Sequence, residues 1–343
     1  MSRRKASIAG MARALVAMVL LICVNVSQAA DTQPAAANRQ PGKTVRLLAI
    51  GNSFSQNATA YLPQLVESQG NTLIFGHASV GGCSLERHWG FVQKNEADPK
   101  DPAGRPYYMK GADGKQHSGA SLKQLLQSQT WDIVTIQQHS WTSTDLRTYR
   151  PYAKQLTDYV RQHAPQAKIW VHETWAYRAD DRLMKKTGTT QEKMYRGLHD
   201  AYTTIATEVA ADKIIPVGTA FQNARQDPRW QLDVPKDFDP QTMKYPEVPR
   251  QVHSLCLGWR WDKKEQPPVL GYDGKHCTAA GKYLGALVWY ETLYGAFGTA
   301  PFVPAELPPQ DATFLQEIAR KTVREGLQPR GLVAATKPAP TKH

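Results

Sequence analysis

Five short apolar runs, separated by segments of helical periodicity, restrict this chain to very few architectures. The first run, Val45-Arg46-Leu47-Leu48-Ala49-Ile50, stops at Gly51, and the second, residues 72–80, stops at Gly81-Gly82. The others cover 132–136, 168–172 and 213–217. Their lengths suit buried strands. Between them, residues 58–68, 121–128, 149–163 and 191–211 read as helices. In the third of these, Tyr152, Leu156, Tyr159 and Val160 fall on one face. Two further helices are expected at 278–294 and 312–324. Strands alternating with helices build βαβ units, so the expected fold is an α/β three-layer α/β/α sandwich on a five-stranded parallel sheet.

This pattern occupies residues 44–328, read as one domain with two insertions. Residues 95–118 are polar and carry Gly-Ala-Asp-Gly, a hairpin-turn signal. Residues 219–270 are rich in Pro, Asp, Gln and Trp. Insertions of that length in compact α/β domains commonly form lids or binding loops. Residues 31–43 read as a flexible leader and 329–343 as a disordered tail.

The first thirty residues have the order of a secretory signal peptide. Arg3, Arg4, Lys5 and Arg13 precede an eleven-residue apolar run, Ala14 to Val24, and Ser27-Gln28-Ala29 supplies small residues for cleavage near Ala29 or Ala30. A span needs ~20 apolar residues, so the run is too short to anchor the protein in a membrane. The protein is therefore expected to be periplasmic or secreted. Removing the segment takes four basic residues and no acidic ones from a formal charge of +12, leaving +8. The remaining basic residues are dispersed rather than striped, which argues against nucleic acid and leaves an acidic substrate open.

Export implies an oxidising compartment. Of the remaining cysteines, Cys256 and Cys277 are the favoured disulfide pair, worth ~3 kcal/mol by loop entropy. The alternative use of this region, a metal site from His253, Cys256, His276 and Cys277, matches no zinc spacing well, and neither metal nor organic cofactor is expected.

In open parallel sheets, ligands bind beyond the carboxyl ends of the strands. Those ends carry Gly51-Asn52-Ser53, Gly81-Gly82, Gln137-Gln138-His139-Ser140 and His172-Glu173-Thr174-Trp175, while Asp273-Gly274-Lys275-His276 precedes the last core helix. A serine at a strand-to-helix turn needs a nearby base to become a nucleophile, and the helix N-terminus can stabilise an oxyanion. His276 would serve as that base, with Asp273 three residues earlier orienting the imidazole.

The stretches LLAIGNSFSQNA, GGCSLERHW, WDIVTIQQHS, HETWAY and YDGKHCTAAGKYLGALVWYE resemble the SGNH (GDSL-like) hydrolase superfamily, within a subfamily of largely unassigned function. The resemblance spans about residues 44–296 and implies a flavodoxin-like fold with a Ser-His-Asp esterase mechanism. It assigns the nucleophile to Ser53, the base to His276 and the orienting acid to Asp273. It also implies an oxyanion hole built from the Ser53 N–H and a glycine N–H, Gly82 or else Gly81. The superfamily's third donor is an asparagine in a Gly-x-Asn-Asp motif that this chain lacks. Gln138 is the candidate in its place, with Gln137 the alternative. Asn52 stands where the usual motif has aspartate.

Trp175, Tyr177 and Trp141 near the strand ends, with Trp89, could present flat faces to sugar rings, or could equally be core. Arg87, Arg178 and Lys275 could meet a substrate carboxylate, and His172, His139 and His88 are left outside the triad. The expected function is an exported serine esterase that removes O-acetyl groups from a carbohydrate. The rival readings are a lipid or thioester hydrolase, and a non-catalytic carbohydrate-binding protein on the same fold.

Overall fold

The computed structural model describes residues 42–110, 115–232 and 238–326. The expected signal peptide, nearly all of the expected leader and the expected C-terminal tail lie outside the described residues. The chain runs β1 (Thr44–Gly51), α1 (Ser53–Ala58), α2 (Leu62–Ser68), β2 (Thr72–Ser79), α3 (Leu85–Ala97), β3 (Tyr107–Lys110), β4 (Gln116–Ala120) and α4 (Leu122–Gln127). It continues with β5 (Ile133–Ile136), α5 (Tyr152–His163), β6 (Lys168–His172), α6 (Arg182–Thr187), α7 (Gln191–Glu208), β7 (Lys213–Ile215) and α8 (Val217–Ala224). The last elements are β8 (Cys256–Asp262), β9 (Val269–Cys277), α9 (Ala279–Tyr294) and α10 (Pro309–Glu325).

Five strands form one parallel sheet in the order β2-β1-β5-β6-β7. This is the flavodoxin-like order, and it puts β1 and β5, the strands that flank the crossover point, side by side at the centre. Leu47, Leu48, Ala49 and Ile50 of β1 have no exposed surface, because helices cover both faces of the sheet. That double burial explains why the strands are apolar runs rather than alternating patterns. Helix α9 packs against α1, α2, α8 and α10, while α3, α4 and α5 pack together as a separate group.

Two details depart from expectation. The helix read over 58–68 starts later, as α2 at Leu62, and a separate helix, α1, ends at Ala58. Pro63 lacks the N–H that a continuing helix would use, and it sits in the first turn of α2, where no such bond is needed. The insertion at 219–270 also begins later than expected, because α8 already occupies Val217–Ala224. Its remainder feeds the antiparallel hairpin β8–β9, which is separate from the main sheet. The hairpin expected in the first insertion is β3–β4.

Cys256 and Cys277 are partners across the β8–β9 hairpin, yet both are free, buried thiols, as is Cys83. The expected bridge is thus not formed. The Cys256 sulfur instead lies 3.5 Å from the Arg225 guanidinium, which donates to it. Among the described residues no group of three or more His, Cys, Asp or Glu is placed to hold a metal ion. His253 pairs with Asp311 at 3.3 Å instead. No helix among them is long and apolar enough to cross a membrane.

Candidate active site

Asn52 follows β1 and caps α1. Its backbone is extended (φ −144°), and its side-chain oxygen accepts the Phe54 N–H at 2.9 Å. Its amide nitrogen donates to the Cys83 carbonyl at 2.9 Å. A carboxylate could cap the helix but could not donate that second bond, so asparagine ties the loop after β2 to the nucleophile turn. Ser53 follows as the first residue of α1, where backbone N–H groups lack intrahelical partners.

His276 reaches Ser53 from the end of β9. Its Nε2 is 2.9 Å from the Ser53 hydroxyl, and its Nδ1 is 2.8 Å from Asp273 Oδ2. Asp273 and His276 were expected on a turn before the last helix; both lie within β9. The local backbone still folds Asp273 back on itself, since its Oδ1 accepts the N–H of His276 at 3.0 Å and of Lys275 at 3.2 Å. Burial pushes the Asp273 carboxyl up, but the bonds from the His276 ring and backbone outweigh it and hold the group well below the usual carboxylate range. Asp273 is therefore an anion at neutral pH, aimed at the imidazole.

Three contacts hold this end of β9 in place. Asn57, on α1, accepts the Cys277 N–H at 2.7 Å and donates to the Ser53 carbonyl at 2.9 Å. It thereby couples the helix that carries Ser53 to the strand that carries His276. The Trp175 indole donates to the Lys275 carbonyl at 2.8 Å, and the Arg178 N–H donates to the Gly274 carbonyl at 2.8 Å. Sequence reasoning missed Asn57; the one available signal was its position four residues after Ser53, one helical turn away.

Ser53, Gly82, His139, Ser140, Lys275 and His276 line a small cavity of about 100 Å³. Larger cavities of about 550 and 670 Å³ lie along β2 and at the opposite ends of the strands, and neither holds a nucleophile bonded to a base. Gly82 has φ +59°, a left-handed conformation that favours glycine. No hydrogen-bond partner accepts from the N–H of Ser53 or Gly82 among the described residues. Gly81 does not line the cavity.

Neither Gln137 nor Gln138, the candidates for a third donor, lines the cavity. Gln138 is fully buried; its side-chain oxygen accepts from Leu85 N–H at 3.0 Å and His139 N–H at 2.7 Å, and its amide donates to the Thr148 carbonyl at 2.8 Å. Gln137 accepts from the Asn52 N–H at 3.2 Å and the Ser55 hydroxyl at 3.0 Å, while its amide donates to the Gln138 carbonyl. Both amides brace the loops around the site. A buried amide must spend its hydrogen bonds on its surroundings, and here the backbone of three loops takes them.

The aromatic candidates separate by burial. Trp175 is fully buried, stacked between Phe54 at 4.3 Å and Phe221 at 4.8 Å. Tyr177 is also buried, its hydroxyl 2.8 Å from Ser140 Oγ. Both are supports rather than substrate faces. Trp89 packs against the core and meets Tyr159 edge-on. Trp141, beside the cavity-lining Ser140, is 48% exposed. Among the basic candidates, Arg178 is buried and bonded to both oxygens of Asp180, so it cannot meet a substrate; Arg87 and Lys275 are exposed.

Residues 46–245 match a protein family described as Domain of unknown function (DUF4886). The chain belongs to the DUF4886 family. A crystal structure of a DUF4886 family protein from Bacteroides uniformis is similar over 82% of this chain and 95% of that one, at 28% identity and a TM-score of 0.61. A protein from Slackia heliotrinireducens, provisionally described as an SGNH hydrolase, matches at 20% identity and a TM-score of 0.43, over 73% of this chain and 98% of its own. An acetylxylan esterase from Geobacillus stearothermophilus matches at 12% identity and a TM-score of 0.38, over 78% of this chain and 100% of its own. Comparison with curated proteins finds no match.

Proposed function

We propose that this DUF4886 protein is a serine esterase that removes small acyl groups, acetyl first among them, from an exported or extracellular carbohydrate. The observation that carries the reading is the continuous chain Asp273–His276–Ser53, with bonds of 2.8 and 2.9 Å, opening on a cavity that offers two unpartnered N–H groups. The Ser53 oxygen attacks the ester carbonyl carbon as His276 Nε2 takes its proton. The carbonyl electron pair moves to oxygen, where the N–H groups of Ser53 and Gly82 stabilise it. Collapse expels the sugar hydroxyl, which receives the proton from His276. Water, deprotonated by His276, then releases acetate from the acyl-serine and restores the hydroxyl. Asp273 keeps the imidazole in the tautomer and orientation both steps require.

The cavity volume of about 100 Å³ supports an acetyl-sized acyl group over the long chain of a lipid. The exposed Trp141, next in sequence to the cavity-lining Ser140, and the exposed cations Arg87 and Lys275 support a sugar substrate with acidic groups. The basic and apolar order of residues 1–30 supports export. The test is a screen for acetate release from acetylated xylan, pectin, mannan and bacterial glycans, run beside Ser53→Ala. Release by wild type alone supports the reading. Equal release by both, or turnover of long acyl esters in preference to acetate, defeats it.

A further inference from the structure

The strand end of β5 offers the cavity a group that the reaction as described leaves unused. His139 lines the cavity with Ser53, Gly82 and His276. A Cβ placed on Gly82 would lie 4.0 Å from His139 Nε2, so this nitrogen sits beside Gly82 at the cavity. Neither ring nitrogen of His139 has a hydrogen-bond partner among the described residues. The imidazoles of His88 and His172 at this end of the sheet are fully buried and do not line the cavity: His88 bonds Tyr107 and the Gly51 carbonyl, and His172 lies 3.4 Å from the Ser55 hydroxyl with its Nε2 enclosed. The Ser140 hydroxyl, also in the cavity, is held by Tyr177.

We propose that His139 donates an Nε2–H bond to the oxyanion, as the third donor beside the N–H groups of Ser53 and Gly82. This inference rests on the esterase reading. Its backbone is fixed for the task. The His139 N–H is bonded to Gln138 Oε1 at 2.7 Å, and its carbonyl accepts the Thr142 N–H at 3.1 Å. Burial first, and then the Lys275 and Arg87 cations, lower its proton affinity below the ordinary histidine value. At neutral pH the ring is therefore uncharged, with one N–H to give. An uncharged donor fits an oxyanion hole beside a general base, because a second imidazolium would oppose protonation of His276. The buried glutamines hold the loop, and the half-exposed histidine does the donating.

The experiment compares the wild-type protein with His139→Ala, His139→Phe and His139→Gln. A glutamine amide nitrogen reaches about as far as Nε2 and restores a donor; phenylalanine keeps the ring and removes the donor. Two readouts are taken. One is steady-state hydrolysis of p-nitrophenyl acetate. The other is the rate at which diethyl p-nitrophenyl phosphate labels Ser53, followed by intact mass. Alanine and phenylalanine are expected to lower kcat ~10²-fold, with KM changed less than about threefold, and to slow labelling comparably. Glutamine is expected to recover at least about tenfold of the loss. Phenylalanine activity equal to wild type overturns the proposal, as does glutamine activity as low as phenylalanine. If wild-type Ser53 neither turns over acetate nor is labelled, the esterase reading falls and this inference falls with it. If wild type is labelled and every variant is labelled equally fast, only the role of His139 falls.

Discussion

His276 Nε2 lies 2.9 Å from the Ser53 hydroxyl, a contact across 223 positions of the chain, and Asn57 braces both ends of it. Ser53→Ala should abolish p-nitrophenyl acetate turnover above background. Asp273→Asn should lower kcat by ~10²–10⁴-fold, because the imidazole loses the acceptor that fixes its tautomer. Asn57→Ala should cost less in stability than in kcat, since it loosens the register between α1 and β9. Parallel kinetics and thermal melts check all three. An Asp273→Asn variant with wild-type kcat would remove the carboxylate from the mechanism.

Arg178 is buried behind the hairpin that carries Asp273 and His276. It bonds Asp180 at 2.7 and 2.9 Å and Gln251 at 2.8 Å. Arg178→Met removes the charged partner of Asp180, leaving it the Tyr272 hydroxyl at 2.7 Å, and should destabilise the fold by ~3 kcal/mol. Gly258→Ala should have a similar effect, because Gly258 has φ +77° and a Cβ there would overlap the Arg178 guanidinium. Urea titrations measure both. A midpoint unchanged by Arg178→Met would show that the hairpin does not depend on this anchor.

The role of Gln138 is to brace the loops. Gln138→Leu strands the N–H groups of Leu85 and His139 and should cost ~2–4 kcal/mol of stability. Its kcat, measured well below the melting temperature, should stay within about fivefold of wild type. A loss of ~10²-fold in kcat with an unchanged melting temperature would instead make Gln138 an oxyanion donor.

If the cavity of about 100 Å³ holds the acyl group, as proposed, short chains should be preferred. The value of kcat/KM should fall at least about tenfold from p-nitrophenyl acetate to the octanoate, since an acyl chain that cannot be buried gains no binding energy in the transition state. A rise with chain length would return the lipid hydrolase to favour.

Stability should decline in mild acid. Burial holds His88 near about 4 and His172 at about 3, below the ordinary ~6.5 that each has when unfolded. Below pH ~6.5 the unfolded chain binds protons that the folded chain refuses, so stability is full above that pH and falls as the pH drops toward the folded values, by up to ~1.4 kcal/mol per unit for each imidazole. Asp273 does not add to this window. Its depressed value keeps its contribution intact above the unfolded carboxylate range of ~3.9, and that contribution is lost only at lower pH. Melting temperatures at pH 7.5 and 5.0 should differ, with His172→Gln showing the smaller difference. Equal melting temperatures at the two pH values would contradict the burial of these rings.

Strand periodicity carried most of the fold because a sheet covered on both faces must be written as apolar runs, and local sequence is enough to read them. Helix boundaries were less legible at Thr59, where α1 ends, since the apolar spacing runs on past the break and only Pro63 marks it. The three residues that meet at the site, Ser53, Asp273 and His276, were legible as candidates for a related reason. Ser53 stands at the end of a readable strand, and Asp273 and His276 are close enough in sequence to be recognised as a unit.

What the sequence by itself determined is the layered α/β architecture and, through short-range patterns, the candidates Ser53, Asp273 and His276. The tertiary structure decided everything that depends on which way a side chain points once strand ends meet. It buried Trp175 between Phe54 and Phe221, spent the amides of Gln137 and Gln138 on loop backbone, and left Cys256 and Cys277 as facing thiols. It also left His139 turned to the cavity with its ring nitrogens unclaimed. The physical reason is that a strand-end residue can satisfy its polar groups with a neighbouring loop or present them to a substrate. The choice is made by the loops that pack beside it, which are distant in sequence.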